Sequence, residues 1–422
     1  MKRTLGALLG GTMLAGVAFG PAAAQDVVEI DYWQYFFQAR VTAIDALIEA
    51  FEAANPDIRV NHTHFPYADY RTRVAAAIPA GEGPDVVQLF YGWLFDYIDA
   101  GLLQPLPQDV FSHAEIEAEF FPMVQAMQVD GEYYALPTAV RSLALFWNKR
   151  MFEQAGLDPD APPETLDALM EVATALTQRD RGGNLTAVGM TAGMTAQDHH
   201  WWREVLVRQF GGQPYSDDNS MVTYTDAGGV EALEFYLSML DPEEGVTAIG
   251  FMDEPQAAFR AGRAGMHIDG SFRLGALRGT RGLEWGVTEL PANADGERFN
   301  FSSYWVNGIT QKAEGAKAEA AARFLDYITS EEAMQVWLEV VGELPARQAA
   351  ALTDENLAHE EYGPFIRGLG YATATTFVSE SQQRQLMVDM VDRVLLEDMD
   401  PADSLQVAAE GEQALLDDFY SN

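Results

Sequence analysis

The chain has 422 residues, 64 of them acidic and 26 basic, giving a formal net charge of −38, and it contains no cysteine. Such acidity repels nucleic acid and anionic membrane surfaces. The lack of cysteine rules out a disulfide framework, a thiol nucleophile and a thiolate-ligated metal. At about 150 residues per domain, the length predicts two or three domains, each able to bury a core.

The first 24 residues read as a secretory signal peptide. Lys2 and Arg3 form a positive start, 5–19 is apolar with many small residues, and Ala22-Ala23-Ala24 predicts cleavage after Ala24. A membrane span needs about 20 strongly apolar residues, more than this stretch or any other supplies. With no cysteine to carry a lipid anchor, the expectation is a free periplasmic protein of a double-membraned bacterium, with no membrane insertion.

In the mature chain, 27–33 alternates as a strand, and 34–38 is a loop. Residues 41–54 form a helix with Ile44, Leu47, Ile48 and Phe51 on one face, stopped by Asn55-Pro56. A strand at 58–65, a helix at 70–78 and a short buried strand at 86–89 follow, with Phe90-Tyr91-Gly92-Trp93 at its carboxyl end. This alternation predicts an α/β fold with an open, mostly parallel sheet, whose ligands bind beyond the carboxyl ends of the strands. After residue 157 the alternation repeats. Helices are expected at 166–176, 201–210, 227–240 and 255–261, and strands at 184–190, 266–268 and 285–290. Helices at 316–328 and 331–341 follow, and the remainder is helical, clearest at 382–396.

Between the two halves lies GEYYALPTAVRSLALFWNKRMFEQAGL, 131–157. Pro137 interrupts its first strand fragment, 133–136, because proline offers no N–H to a ladder. A second fragment, 143–147, is continuously apolar, as a strand buried on both faces is. The two read as one strand leaving one sheet and entering another. Together with FEAANPDIRV (51–60), GEGPDVVQLFYGWLFDYIDAGLL (81–103) and WVNGIT, ARFLDYITSEEA and GELPAR within 305–347, this run resembles the extracellular solute-binding proteins of bacterial ABC transporters. The resemblance is to their carbohydrate-binding family, which includes the maltose-binding protein, and it is weakest over 351–422. It implies a two-lobed periplasmic-binding-protein fold, each lobe a sheet flanked by helices, with the ligand cleft between lobes. The lobes expected are 25–138 with 303–341, and 139–302 with 342–422. The implied role is capture of a carbohydrate, from mono- to trisaccharide or a derivative, by a monomer that hands it to the transmembrane subunits of an ABC permease, with no cofactor.

A sugar presents an apolar ring face edged with hydroxyls, so its site needs aromatic platforms and planar polar side chains. The loops after the first strands supply Gln34, Tyr35, Gln38, Tyr67, Phe90, Tyr91 and Trp93. Carried over from the family, Arg141, Trp201, Phe272, Trp305 and Arg347 complete the expected contacts. Trp33 and Trp147 read as core instead, and Arg141, Arg273 and Arg347 equally suit ion pairs between lobes. Maltose-type relatives carry charges in the first loop, third loop and crossover where this chain has Phe37, Gln38, Gly92, Trp93 and Arg141. The relatives' sugar is therefore not implied, and an anionic polyol, sugar acid or sugar phosphate is the second ligand class. His62 and His64 share a strand face without a third metal ligand in pattern, and His199-His200 read as capping or packing. No GxSxG, P-loop or GxGxxG at a strand–helix turn is present. A secreted carbohydrate-active enzyme is the alternative from another class.

Overall fold

The computed structural model describes residues 27–421, the side chains of 125 and 126 excepted. The expected signal peptide and its cleavage point after Ala24 lie outside the described residues. The first strands are Val28–Tyr35 (β1), Ile58–Phe65 (β2) and Val86–Phe90 (β3), with β1 central and parallel to both neighbours. The helix Gln38–Ala54 packs beside them because Val41, Ile44, Leu47, Ile48 and Phe51 recur on one face. It begins three residues earlier than periodicity suggests and thereby brings Arg40 onto that buried face.

A hairpin, Gln128–Val129 (β4) and Glu132–Tyr133 (β5), turns at Asp130-Gly131, where both residues have positive φ. The crossing strand, Ala135–Asn148 (β6), is one continuous strand, not two fragments broken at Pro137. Its partner strand shifts register between Trp305 and Val306, opposite Pro137 to Ala139, leaving Thr138 as an extra residue. Such a bulge tolerates the missing N–H of proline.

Further on come Gln178–Arg179 (β7), Leu185–Met190 (β8), Ala264–Gly270 (β9), Trp285–Thr288 (β10), Asn300–Ile309 (β11) and Leu344–Pro345 (β12). Up to Ser142, β6 lies antiparallel to β11, with β12 on its other side; from Leu143 it pairs with β9, and then with β10. The strand order β2-β1-β3-β11-β6-β9-β8-β7 therefore changes character midway along β6. The parallel pairs lie toward the two ends of this order, and the long strands that join them run antiparallel. At Gly189 of β8 a Cβ would fall 1.8 Å from the Ala173 carbonyl oxygen, so the helix Leu166–Leu176 seats directly on the strand.

Two large apolar clusters result. One gathers Ile30, Leu47, Val87, Phe324 and Leu338; the other gathers Leu145, Met190, Trp201, Tyr236 and Met387. The helices Ala316–Ile328 and Glu331–Val341 stand as expected, the first against β1 and β11, the second against the helix Gln38–Ala54. The second is capped by Ser330 and stopped by Gly342 at φ +81°. The last two helices, Glu380–Glu397 and Pro401–Tyr420, pair with each other. Among the described residues, no helix is long and apolar enough to cross a membrane. The fold is a two-lobed α/β architecture of mixed sheet and flanking helices.

Candidate functional site

The carboxyl ends of β1 and β3 and the middle of β11 deliver aromatic rings to one place. Tyr35 closes β1, Phe90 closes β3, and Trp305 pairs with Phe90 across the sheet. The Tyr35 and Trp305 centroids lie 4.2 Å apart, and Phe90 stands 5.7 Å from Trp305. Tyr67, the first residue of the next helix and 58 % exposed, sits 5.4 Å from Tyr35 and roofs the group. These four rings form one wall of a cavity of about 320 Å³. The opposite wall carries Phe272, Thr195, Gln197 and the imidazoles of His199 and His200.

Between the walls lies an ion cluster. Glu343, in the turn after helix Glu331–Val341, accepts from Arg40 Nη2, from Arg141 Nε at 2.5 Å and from Trp337 Nε1 at 2.9 Å. Burial alone would raise the Glu343 carboxyl, but Arg141 and Arg40 hold it down to about 2. Arg141 also reaches the Tyr35 hydroxyl at 3.5 Å and lies 4.8 Å over the Phe272 ring. Arg40, 1 % exposed, is covered by Tyr35 at 4.8 Å and Trp305 at 5.5 Å. Its Nε and Nη1 have no partner among the described residues.

Arg273 bonds Asp269 at 2.5 Å, and His267 joins the same carboxylate at 3.1 Å. Burial works to raise Asp269, yet His267 and Arg273 keep it below its ordinary value. His199 donates through Nδ1 to the Ala196 carbonyl, 2.8 Å away, and His200 stacks on Phe301 at 3.8 Å. Burial, followed by nearby arginines, lowers His199 to about 3; burial, followed by His199, lowers His200 as well. Both rings are therefore neutral at pH 7, leaving His199 Nε2 and His200 Nδ1 without partners among the described residues.

Of the side chains expected from sequence, the structure brings Tyr35, Tyr67, Phe90, Arg141, Phe272 and Trp305 together at this cavity. Trp93 and Tyr91 stand behind it, Trp93 edge-on to Trp305 at 5.4 Å and Tyr91 on Tyr304 at 4.5 Å. Gln34 is wholly buried beneath, and Gln38 is exposed on its helix. Trp201 is not at the cavity: it is fully buried, edge-on to Tyr236 and Phe235. Its helix starts at Asp198 and continues as a π-helix over Trp201–Leu206, with the tryptophan in the core and the histidine pair lining the cavity. Arg347 is also elsewhere, paired with Glu119 and bonded to the Thr329 carbonyl at 2.8 Å. His62 bonds Asp45 at 2.7 Å, and among the described residues no group of three or more candidate ligands could hold a metal.

Arg40, Glu343, Glu380, Arg384 and the histidine pair line the cavity without having been expected there. One signal was available for Arg40: it stands four residues before Ile44 on the apolar helix face, where a charge is unusual. Glu343 likewise sits between Gly342 and an apolar pair, Leu344-Pro345.

Comparison with known proteins places the chain. Over 351 residues it is 25 % identical to the maltotriose-binding protein of Pyrococcus abyssi, covering 82 % of this chain and 72 % of that one. Over 377 residues it is 27 % identical to the sn-glycerol-3-phosphate-binding periplasmic protein of Escherichia coli K12, covering 83 % and 81 %. The crystal structure of the cyclic alpha-maltosyl-1,6-maltose binding protein of Arthrobacter globiformis superposes with a TM-score of 0.79 at 22 % identity, over 93 % of this chain and all of that one. Residues 46–362 match the family described as bacterial extracellular solute-binding protein, and the chain belongs to that family.

Proposed function

We propose that this chain, the solute-binding component of an ABC importer, captures a small carbohydrate in the cavity between Trp305 and Phe272. The observation that carries this reading is the wall of Tyr35, Tyr67, Phe90 and Trp305 facing planar, hydrogen-bonding side chains. Rings of that kind take the C–H face of a sugar, and Arg141, His199 and Gln197 are placed to meet its hydroxyls. A volume of about 320 Å³ is at the small end of ligand pockets, which span about 300–1,000 Å³, and suits a mono- or disaccharide. The relatives' sugar and glycerol-phosphate ligands support the class.

The lobes are assigned as 25–138 with 303–341 and 139–302 with 342–422, supported by the change of neighbours along β6. Ligand bridges the walls only when the lobes meet, so it shifts a hinge equilibrium toward the closed form that a permease recognises. We assign the periplasm as the compartment and a binding role without turnover. In support of the latter, both carboxylates lining the cavity are ion-paired, Glu343 with two arginines and Glu380 with Arg384. A carboxyl held near 2 cannot serve as a general acid at neutral pH.

A thermal-shift screen of neutral and acidic sugars tests the reading. A ligand at 100 times its Kd adds about 2.7 kcal/mol. Hydrolysis of an oligosaccharide in the same panel would reject the binding role in favour of an enzyme.

A further inference from the structure

The cavity reverses the sign of the chain around it. The chain has 26 basic and 64 acidic residues, yet among the described residues four basic ones (Arg40, Arg141, Arg273 and Arg384) line the cavity against two acidic ones, Glu343 and Glu380. Two of the arginines are balanced singly. Arg384 faces Glu380 at 3.4 Å, and Arg273 faces Asp269 at 2.5 Å. Arg40 and Arg141 share one carboxylate, Glu343, through the same oxygen, while its other oxygen accepts from Trp337. The neighbouring titratable groups do not supply the missing negative charge. His199 and His200 are neutral, the Tyr35 hydroxyl accepts from Arg141, and Arg203, behind the histidines, is paired with Glu412. One positive charge at the centre of the cavity thus lacks a counterion, and two buried N–H groups of Arg40 lack a partner among the described residues. An uncompensated buried charge is costly, and two guanidiniums around one carboxylate present donors suited to a second oxyanion.

We propose that the ligand is a polyhydroxylated monoanion, held by its ring on Tyr35 and Trp305 and by a singly charged oxyanion at the Arg40–Arg141 pair. This rests on the carbohydrate reading above and narrows it. The shared chemistry is one negative charge on a polyol, carried by a carboxylate or a phosphodiester. A phosphomonoester, at about −1.5 to −2 at pH 7, exceeds the single charge that the cluster lacks.

The test is calorimetric titration of matched pairs at low and high salt: D-glucose with D-glucuronate, D-galactose with D-galacturonate, and glycerol with glycerophosphoglycerol, with glycerol 3-phosphate as the dianion. The expected result is at least one monoanion binding tenfold or more tighter than its neutral parent. Its affinity should fall with added salt while the parent's does not, and whether a uronate or the phosphodiester binds identifies the source. Arg141→Gln leaves Arg40 and Glu343 as a balanced pair, so it should bring acid and parent to within about twofold of each other. A wild type that binds a neutral sugar as tightly as its acid overturns the proposal and leaves the carbohydrate reading standing. Equal losses of acid and parent in Arg141→Gln also overturn it; should that variant fail to fold, the wild-type salt dependence decides alone. Binding of none of the monoanions overturns the proposal, and the carbohydrate reading falls with it only if the thermal-shift screen of sugars also finds no ligand.

Discussion

Glu412, fully buried on the helix Pro401–Tyr420, receives hydrogen bonds from Arg203 at 3.1 Å, Tyr224 at 2.7 Å, Gln383 at 2.9 Å and the Tyr215 hydroxyl. Replacing it with alanine leaves Arg203, itself unexposed, with a single described bond, to the Gln383 carbonyl at 3.3 Å. Summing four charge-assisted bonds at about 1.5–3 kcal/mol each gives roughly 6–12 kcal/mol. That overstates the loss, because removing the glutamate also removes its own desolvation penalty. Breaking one member of a buried ion pair costs about 3–5 kcal/mol, and this is the expected destabilisation of Glu412→Ala. At about 2–4 °C per kcal/mol for a domain of this size, the melting temperature should fall by roughly 6–20 °C. Urea unfolding followed by circular dichroism measures the free energy directly. The double variant Arg203→Met, Glu412→Leu should recover most of the loss, since an apolar pair fills the space without stranding a charge. A loss below about 1 kcal/mol in Glu412→Ala, or a double variant no better than the single, would refute electrostatic pairing as what fastens this helix to the π-helix Trp201–Leu206.

Other outcomes follow from the same geometry. Trp305→Ala should weaken ligand binding by about 1–3 kcal/mol in calorimetry, whereas Trp201→Ala should cost about 3–5 kcal/mol of stability and leave the affinity of the folded protein unchanged. Gly189→Ala, which drives a Cβ into the Ala173 carbonyl, should cost about 1–3 kcal/mol or prevent folding, read by urea unfolding. Burial raises Asp198 from 3.8 to about 6, against the Gly193 and Tyr236 hydrogen bonds. A raised carboxyl favours folding below its unfolded value and loses that contribution as pH climbs from about 4 to 6. Asp198→Asn should therefore gain about 2–3 kcal/mol at pH 7 and nothing at pH 4, in unfolding curves recorded at both. Glu343 acts in the opposite direction: its contribution is complete above 4.5 and is lost as pH falls toward 2. Glu343→Gln should thus narrow the stability gap between pH 5 and pH 2.5.

Much of the fold was legible because it depends on local rules. The strands Ile58–Phe65 and Leu185–Met190 and the helices Leu166–Leu176 and Glu331–Val341 lie within a residue or two of where periodicity and caps put them. What escaped depends on partners distant in sequence. Pro137 looks like a strand break until a bulge opposite Trp305 and Val306 absorbs it. Trp201 was expected at the cavity by carry-over of a helix start from the family, whereas the helix starts at Asp198 and it is His199 and His200 that line the cavity. At the cavity, the aromatic wall was readable from loops at strand ends. The Arg40–Glu343–Arg141 cluster was not, because its members lie at least 101 residues apart in the numbering and meet only where three segments converge.

The strand β6 has a consequence for the order in which the molecule assembles. It is made by residue 148, yet the partners along its length are β9, ending at 270, β10, ending at 288, β11, ending at 309, and β12, ending at 345. At a synthesis rate of about 5–20 residues per second, the last of these emerges roughly 10–40 s after β6. Until β9 is made the centre of the sheet has no neighbours, its full set is complete only with β12, and pairing over such separations closes slowly. The topology therefore leaves the long central strand unpaired while more than a hundred further residues are made.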